Sequence, residues 1–291
     1  MEQRVRDALI ATGAVPAVCR WERLEGGRVN LLWRVQGRDV DLVVRLYRDC
    51  RNSPLFRNMP GAELATLHAL TTTGLVPTAA RLEGTPAGKC LIYSHIPGAP
   101  WRQGTAGVAR LLGALHSLPP PPGLPHRPVS ADGLLEEAAG LLPATDDPLL
   151  PELLRHRPDP DDPGPAPDPR LIHRDPVPGN IIVQGEKMSL IDWQSPGLGD
   201  PCEDLAAFLS PAMQHLYRGK VLSPAEEAEF LSAYPCRDTI DRLNRRRRIF
   251  HWRLAAHCLW RSRQGLGDYA TAFALELAAL RSASRATPPP R

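Results

Sequence analysis

The sequence predicts an α+β protein in which a small antiparallel sheet precedes a larger and mainly helical region. Alternating and β-branched residues, interrupted by glycine turns, occupy the stretch from 19 to 47. A break follows at Ile96-Pro97-Gly98, and beyond it apolar residues recur at helical spacing, first from Val108 to Leu115. We therefore expect a sheet-containing lobe over residues 1–96 and a helical lobe over residues 97–291.

The N-terminal lobe should combine helices with short strands. Glycine-containing turns separate the first three strands, and Pro60 with Gly74 supplies the start and stop signals of a helix. The predicted elements are a helix over Glu2–Ala11, strands over about Cys19–Glu25, Arg28–Val35 and Val40–Tyr47, a helix between Pro60 and Gly74, and strands near Ala79–Leu82 and Lys89–Tyr93.

The C-terminal lobe is predicted to be helical except for one hairpin and one irregular segment. Two apolar triplets, Ile181–Val183 and Ser189–Ile191, flank a turn and predict the hairpin. The proline- and aspartate-rich stretch 143–169 should continue neither helix nor sheet and is interpreted as a surface connection. The chain after Asp204 is predicted to be helical in three stretches. The first has an apolar face over 205–216 despite Pro211, and the others cover about Thr239–Arg263 and Asp268–Arg281.

Composition disfavours several classes of protein. The formal net charge is +3 and aromatic residues make up 5%, which is unlike the basic, aromatic-lined surface of a single-strand nucleic-acid binder. The six cysteines lack the spacing of a zinc site or a disulfide framework. Charged residues interrupt the first twelve positions, and no apolar run approaches the roughly 18 residues that span a bilayer. We expect no nucleic-acid or membrane partner and a cytoplasmic location.

Three polar residues stand around the predicted hairpin. Asp175 and Asn180 lie on the loop that enters it, and Asp192 lies at its exit. Phosphoryl transfer requires a carboxylate that accepts a proton from a hydroxyl. It also requires ligands for a divalent cation, which an amide and a second carboxylate can supply. The spacing therefore indicates phosphoryl-transfer chemistry.

At this point the chain resembles the aminoglycoside phosphotransferase and choline kinase family, whose fold is protein-kinase-like. The resemblance rests on three stretches, Leu171-Ile-His-Arg-Asp-Pro-Val-Pro-Gly-Asn180, Ile191-Asp192-Trp193 and Gly199-Asp-Pro-Cys-Glu-Asp-Leu-Ala206. The resemblance implies a two-lobed fold with Asp175 as catalytic base, Asn180 and Asp192 as magnesium ligands, and His173 as the residue that braces the loop. Asp200 and Asp204 are implied to be structural.

The resemblance also implies a nucleotide site in the N-terminal lobe. The turn with Gly26, Gly27 and Asn30 would approach the phosphates. Arg45 stands where protein kinases have lysine, and it keeps a permanent charge and a forked donor set suited to phosphate. Glu63 is the candidate partner of Arg45 and is alternatively a solvated helix-face carboxylate. Backbone groups of the segment from Ser94 to Ile96 would meet the adenine.

The acceptor is expected to be a small molecule. Pro176-Val177 replaces the family's usual Leu-His, and the short stretch from Asp192 to Asp200 leaves no room for a phosphorylatable activation loop. The candidate acceptor-pocket residues are Trp193, His251, Trp252, His257 and Trp260. Trp252 and Trp260 could form an aromatic wall for a quaternary or protonated amine, and the alternative for the tryptophans is core packing. The basic run Arg245–Arg248 is either a solvated helix face or, if it faces the cleft, a feature that disfavours cationic acceptors.

Together these features predict an ATP- and Mg²⁺-dependent kinase that phosphorylates the hydroxyl of a small molecule such as an aminoglycoside, a choline-like amine alcohol or a sugar. One alternative is a non-catalytic nucleotide-binding regulator of the same fold. A less favoured one is a metal-dependent hydrolase that uses His173, Asp175, Asp192 and Asp200 as ligands. The sequence leaves three points open: which molecule is the acceptor, whether the phosphate donor is ATP or GTP, and whether the protein is a monomer or a dimer.

Overall fold

A computed structural model describes residues 1–24, 29–48, 55–142, 147–160 and 166–283. It confirms the α+β class, with an antiparallel sheet in the N-terminal region and helices in the C-terminal region. The chain forms two compact units. Unit 1 comprises Met1–Ala99, Pro121–Gly123 and Ile181–Pro196, and unit 2 comprises Pro100–Pro120, Leu124–Asn180 and Gly197–Arg291.

Unit 1 is built on a five-stranded antiparallel sheet in the order β1-β2-β3-β5-β4. Its side chains Trp33, Val35 and Val44 form one apolar core with Val5 and Leu9 of the first helix. The elements are α1 (Glu2–Ala11), β1 (Arg20–Arg23), β2 (Leu31–Gln36), β3 (Asp41–Leu46), α2 (Pro60–Ala69), β4 (Arg81–Thr85) and β5 (Gly88–Ser94), with β6 (Ala99–Pro100) at its border.

The hairpin of β8 (Ile181–Gln184) and β9 (Lys187–Leu190) packs in unit 1, although the sequence divided the chain at residue 96. The Leu190 N–H donates to the Leu75 carbonyl at 2.7 Å. Gly98 lies so close to this hairpin that a Cβ there would be 2.4 Å from the Val183 oxygen. Backbone contacts over a long sequence separation, which periodicity does not reveal, therefore assign the hairpin to unit 1.

Unit 2 is mainly helical around a short two-stranded pairing of β7 with β10. Its elements are α3 (Thr105–Ser117), α4 (Ala131–Ala139), α5 (Leu150–Arg155), β7 (Arg170–Ile172), a 3₁₀ turn (Pro178–Asn180), β10 (Gly197–Gly199), α6 (Cys202–Leu209), α7 (Pro211–Arg218), α8 (Pro224–Ala233), α9 (Arg237–Arg263) and α10 (Asp268–Ala283). No helix in the described part of the chain is both long and apolar enough to cross a bilayer.

Two sequence expectations need correction in unit 2. The stretch 143–169 contains a short helix, α5, because Pro151 stands in a first turn where proline is tolerated and Leu153 is fully buried. The apolar face over 205–216 belongs to two helices, since Pro211 cannot continue a helix and Ser210 instead caps α7 by accepting from the Met213 N–H.

Candidate active site

A buried arginine organises the polar side chains of unit 1. Arg45 Nη1 lies 2.7 Å from Glu63 Oε1 and 2.8 Å from Asp192 Oδ1. Both Arg45 and Glu63 are 1% exposed, and the Tyr47 hydroxyl donates to Glu63 Oε2 at 2.7 Å. The ion pair expected between Arg45 and Glu63 is present, so Glu63 is not a solvated helix-face carboxylate. The pair with Asp192 was not foreseen.

The Arg45 cluster (Arg45, Glu63 and Asp192) holds one cation and two carboxylates. Burial opposes the charge on Arg45, but Asp192 and Glu63 outweigh it and raise its pKa well above the usual value. Burial also raises the pKa of Glu63, with Asp192 adding to the rise and Arg45 opposing it. The cluster therefore carries a deficit of positive charge that a further cation would relieve.

The phosphate-binding turn predicted at Gly26 and Gly27 falls outside the described residues. Asn30, just after it, is buried and its amide is engaged with protein groups. The Asn30 Nδ2 group donates to Asn58 Oδ1 at 2.9 Å and to Gln194 Oε1 at 3.1 Å, while Oδ1 accepts from the Arg48 N–H. Asn30 thus ties the segment after the turn to the one after Asp192, and we assign it to positioning rather than to direct nucleotide contact.

The segment expected to meet adenine follows the end of β5. The Ser94 N–H donates to the Thr78 carbonyl and the His95 N–H to the Asp41 carbonyl, both at 2.9 Å. Those two N–H groups are therefore used within unit 1. Ile96, partly buried, is the remaining residue of the segment proposed for a backbone contact.

The loop before the hairpin lies in unit 2 and brings together three residues predicted from the sequence. The Asn180 amide donates to the Asp175 carbonyl at 2.9 Å and to Asp175 Oδ2 at 3.2 Å. His173, fully buried, accepts the Asp175 N–H on Nδ1 at 3.2 Å. Asp175 itself is half-buried, so its carboxylate is oriented by the loop and still accessible.

Asp204 anchors this loop from the first turns of α6. Its Oδ2 accepts the His173 N–H at 2.8 Å, and its Oδ1 accepts the Arg174 N–H at 2.6 Å. His116 Nε2 lies 3.0 Å from Oδ2, so the fully buried carboxylate of Asp204 is surrounded by hydrogen-bond partners. Such hydrogen bonds to a charged group are among the stronger ones in proteins.

Asp200 has a similar structural position, and its contacts count against the hydrolase alternative. Both carboxylate oxygens are 2.9 Å from the Arg242 guanidinium, and Arg246 contacts Oδ2 at the same distance. The fully buried Asp200 carboxylate is therefore engaged by two arginines. Among the described residues, no three His, Cys, Asp or Glu side chains gather as metal ligands.

Most of the acceptor-pocket candidates are packing residues. Trp193 and Trp252 are fully buried, and their indole N–H groups donate to the carbonyls of Leu190 and Leu153 at 3.0 Å. His257 is buried, and burial lowers its pKa well below the usual value. His251 instead lines a cavity of about 450 Å³ in unit 2, together with Arg247 of the basic run.

The residues proposed for magnesium have suitable chemistry. Asp192 offers carboxylate oxygens and is 27% exposed, and its cluster has one positive charge against two carboxylates. Asn180 uses its amide nitrogen toward Asp175, so its carbonyl oxygen is the atom it would offer a ligand. Oxygen donors of these two kinds are those that Mg²⁺ accepts.

Sequence reasoning missed the side chains that support these residues. Asn58 and Gln194 contact Asn30, while Glu137 and Glu203 contact Arg174. Each joins elements far apart in the chain.

Comparisons with known proteins agree with this geometry. The family model described as "Phosphotransferase enzyme family" (APH) matches residues 20–243. Protein LicA of Haemophilus influenzae is 34% identical over 88 residues, which cover 30% of this chain and 30% of that protein.

Solved structures of similar fold cover nearly the whole chain. The choline kinase LicA from Streptococcus pneumoniae has a TM-score of 0.64 at 18% identity, covering 97% of this chain and 99% of that one. A spectinomycin phosphotransferase in complex with ADP and spectinomycin has a TM-score of 0.61 at 14% identity, covering 98% of each chain. These likenesses confirm the protein-kinase-like fold. Because the family model matches more than half of the sequence, the chain belongs to the APH phosphotransferase enzyme family.

Proposed function

We propose that this protein transfers the γ-phosphoryl group of ATP to a hydroxyl of a small molecule. The observation that carries the proposal is the Arg45 cluster, in which one buried guanidinium is fixed by Glu63 and also pairs with Asp192. A fixed cation beside a carboxylate that lacks a full counter-charge suits a nucleotide bound with a divalent metal. Family membership supports the same proposal.

The proposed chemistry assigns one role to each residue. Asp175 orients the acceptor hydroxyl and accepts its proton as the acceptor oxygen bonds to the γ-phosphorus. The bond between the γ-phosphorus and the β–γ bridging oxygen breaks, and ADP leaves. Arg45 stabilises negative charge on the phosphates, and His173 holds the Asp175 backbone through the contact at Nδ1.

Magnesium would be held by Asn180 and Asp192. When bound, it would neutralise phosphate charge during the transfer. Glu63 keeps Arg45 in place through its 2.7 Å ion pair, and Tyr47 in turn holds Glu63. Ile96 is proposed to contact the adenine through its backbone, and Gly26 and Gly27 to approach the phosphates.

The acceptor is proposed to be a small alcohol. The similar structures include a kinase of choline and a phosphotransferase of spectinomycin, whose acceptors differ in size and shape. An acceptor panel should therefore include choline, ethanolamine, aminoglycosides, spectinomycin, thiamine, sugars and homoserine.

Two measurements test the proposal. Saturating Mg-ATP or Mg-GTP should raise the thermal midpoint, because a ligand at 100 times its dissociation constant stabilises the native state by about 2.7 kcal/mol. ADP release should accelerate with at least one compound of the panel, and phosphorylation of that compound should be visible by mass spectrometry. Absence of any nucleotide-induced shift would refute nucleotide binding.

A nucleotide-induced shift without turnover on any acceptor would instead favour the non-catalytic regulator. The magnesium requirement is tested in the same format by replacing Mg²⁺ with EDTA, which should remove the shift.

A further inference from the structure

Four buried charged side chains form a closed ring beneath the loop that carries Asp175. The ring consists of Arg174, Glu137 of α4, Arg253 of α9 and Glu203 of α6, and each carboxylate contacts both guanidinium groups. Arg174 Nη2 lies 3.0 Å from Glu137 Oε1, and its Nε lies 3.4 Å from Glu203 Oε2. Arg253 Nη2 lies 2.6 Å from Glu137 Oε2 and 2.9 Å from Glu203 Oε2.

The ring is almost fully removed from solvent. The exposed fractions of the side chains are 0% for Arg174, 1% for Glu203, 6% for Arg253 and 19% for Glu137. Burial raises the pKa of Glu137, but Arg253 and Arg174 outweigh it and hold the pKa below the usual value. Within the ring, two positive and two negative charges alternate and compensate one another where water is excluded. A third guanidinium, Arg127, lies close to the ring, and burial together with Arg174 lowers its pKa.

The backbone conformation of Arg174 connects the ring to Asp175. Arg174 has a φ of 72°, in the left-handed region that favours glycine. A residue with a side chain persists there only when its surroundings fix it. Here two anchors act at once, since Asp204 accepts the Arg174 N–H while the ring holds its guanidinium. The next residue in the chain is Asp175.

We infer that Arg174 is a positioning residue, and that the ring of Arg174, Glu137, Arg253 and Glu203 locks the left-handed turn that aims the Asp175 carboxylate. The inference rests on the proposed role of Asp175 in phosphoryl transfer. The ring joins α4, α6 and α9 to this turn, so the direction of Asp175 is fixed by three helices. A misplacement of about 1 Å in such a group can cost about a hundredfold in rate.

The test is a double variant that removes one charge of each sign. Arg174→Gly with Glu137→Gln leaves the Arg253–Glu203 pair intact, and glycine adopts the left-handed conformation without strain. Hydrogen exchange of the segment 170–180, measured by mass spectrometry, should become at least about tenfold faster. Turnover should fall about 10- to 100-fold while the KM for Mg-ATP stays within about threefold.

A matched control and a milder variant complete the experiment. Arg263→Ala with Asp147→Asn removes another ion pair of unit 2 and should leave both exchange in 170–180 and kcat unchanged. If the double variant does not fold, Arg174→Lys, which keeps the charge balance but lacks the forked guanidinium that reaches both Glu137 and Glu203, should show the same changes at smaller size.

The outcomes separate the ring from the proposed function. Unchanged exchange in 170–180 together with unchanged kcat overturns the inference, as does faster exchange spread evenly over the whole chain. If the unsubstituted protein turns over no acceptor, the proposed function fails, and the exchange measurement still decides whether the ring holds the turn.

Discussion

The Arg45 cluster and the ring of Arg174, Glu137, Arg253 and Glu203, two of the buried charge groups of this protein, differ in their balance. The Arg45 cluster of unit 1 has one guanidinium and two carboxylates, whereas the ring of unit 2 has two guanidinium groups and two carboxylates. Each group has one partly exposed carboxylate, Asp192 at 27% and Glu137 at 19%, but each ring carboxylate contacts two guanidinium groups whereas Asp192 and Glu63 share one. A further guanidinium, Arg127, lies beside the ring. A balanced, closed group is suited to hold a backbone in place. An unbalanced group with an accessible carboxylate is suited to respond to a cation.

This difference implies opposite responses to the removal of a carboxylate. In the Arg45 cluster, removal of Asp192 leaves a one-to-one pair of Arg45 with Glu63. In the ring, removal of one carboxylate leaves two cations against one anion, and an uncompensated buried charge typically costs about 3–5 kcal/mol. The following predictions use this contrast.

The largest expected effect is that of Asp192→Ala on ligand binding. We expect metal-dependent nucleotide binding and turnover to be lost, because the phosphates lose the cation held by this carboxylate. The thermal midpoint of the ligand-free protein should not fall, because the remaining pair is balanced. Calorimetric titration of Mg-ATP and a thermal melt check both parts. Full activity of this variant would show that Asp192 is not a metal ligand.

Asp175→Asn should separate catalysis from binding. Turnover should fall by about 10²- to 10⁴-fold, the usual contribution of a general base, while Mg-ATP affinity stays within about threefold. The reason is that Asp175 is proposed to act on the acceptor and not on the nucleotide. Titration and turnover measured on the same preparation test this, and loss of nucleotide binding would contradict the assignment.

Arg45 gives a smaller and graded effect. Arg45→Ala should reduce or abolish the shift of the thermal midpoint caused by Mg-ATP, since the phosphates lose their fixed cation and Glu63 loses its partner. Arg45→Lys should retain part of the shift, because lysine keeps the positive charge but lacks the second nitrogen, Nη2, and the forked donor set suited to phosphate. Equal shifts in the unsubstituted protein and the alanine variant would exclude Arg45 from the nucleotide site.

Local patterns predicted much of the fold. The helix α1 was expected over the residues it occupies, and strands β2 and β3 lie within a residue or a few of the predicted ranges. In α1 and β2 the burial of one face leaves a periodic signal, whereas β3 is buried on both faces and was recognised from its β-branched residues. The helix α8 was missed although Ser223 and Glu226 form a capping box, a signal that the sequence does contain.

The candidate site was predictable in its residue types and not in its supports. The order of Asp175, Asn180 and Asp192 is the pattern that predicted phosphoryl-transfer chemistry, and the Arg45–Glu63 pair followed from the resemblance. The partners of Asn30 and Arg174 come from distant segments and leave no spacing to recognise. Their positions follow from tertiary packing, which is decided by the whole chain rather than by a window of it.

The smallest expected effect concerns pH, and it tests the contrast between the two groups most directly. The pKa of Glu63 is raised by burial, so its contribution to stability is present below the ordinary glutamate pKa and is lost as pH rises through the raised value. The pKa of Glu137 is lowered on balance, because Arg253 and Arg174 outweigh burial, so its contribution is present above the ordinary value and is lost as pH falls.

Urea unfolding in EDTA measures both contributions to stability. It compares Glu63→Gln, Glu137→Gln and the unsubstituted protein between pH 3.5 and 7.5, a range that includes the pKa of roughly 4.3 of an ordinary glutamate. The difference in unfolding free energy from the unsubstituted protein should change with pH in opposite directions for the two variants. Slopes of the same sign would mean that the charge balance of the two groups does not differ in solution as it does in the structure.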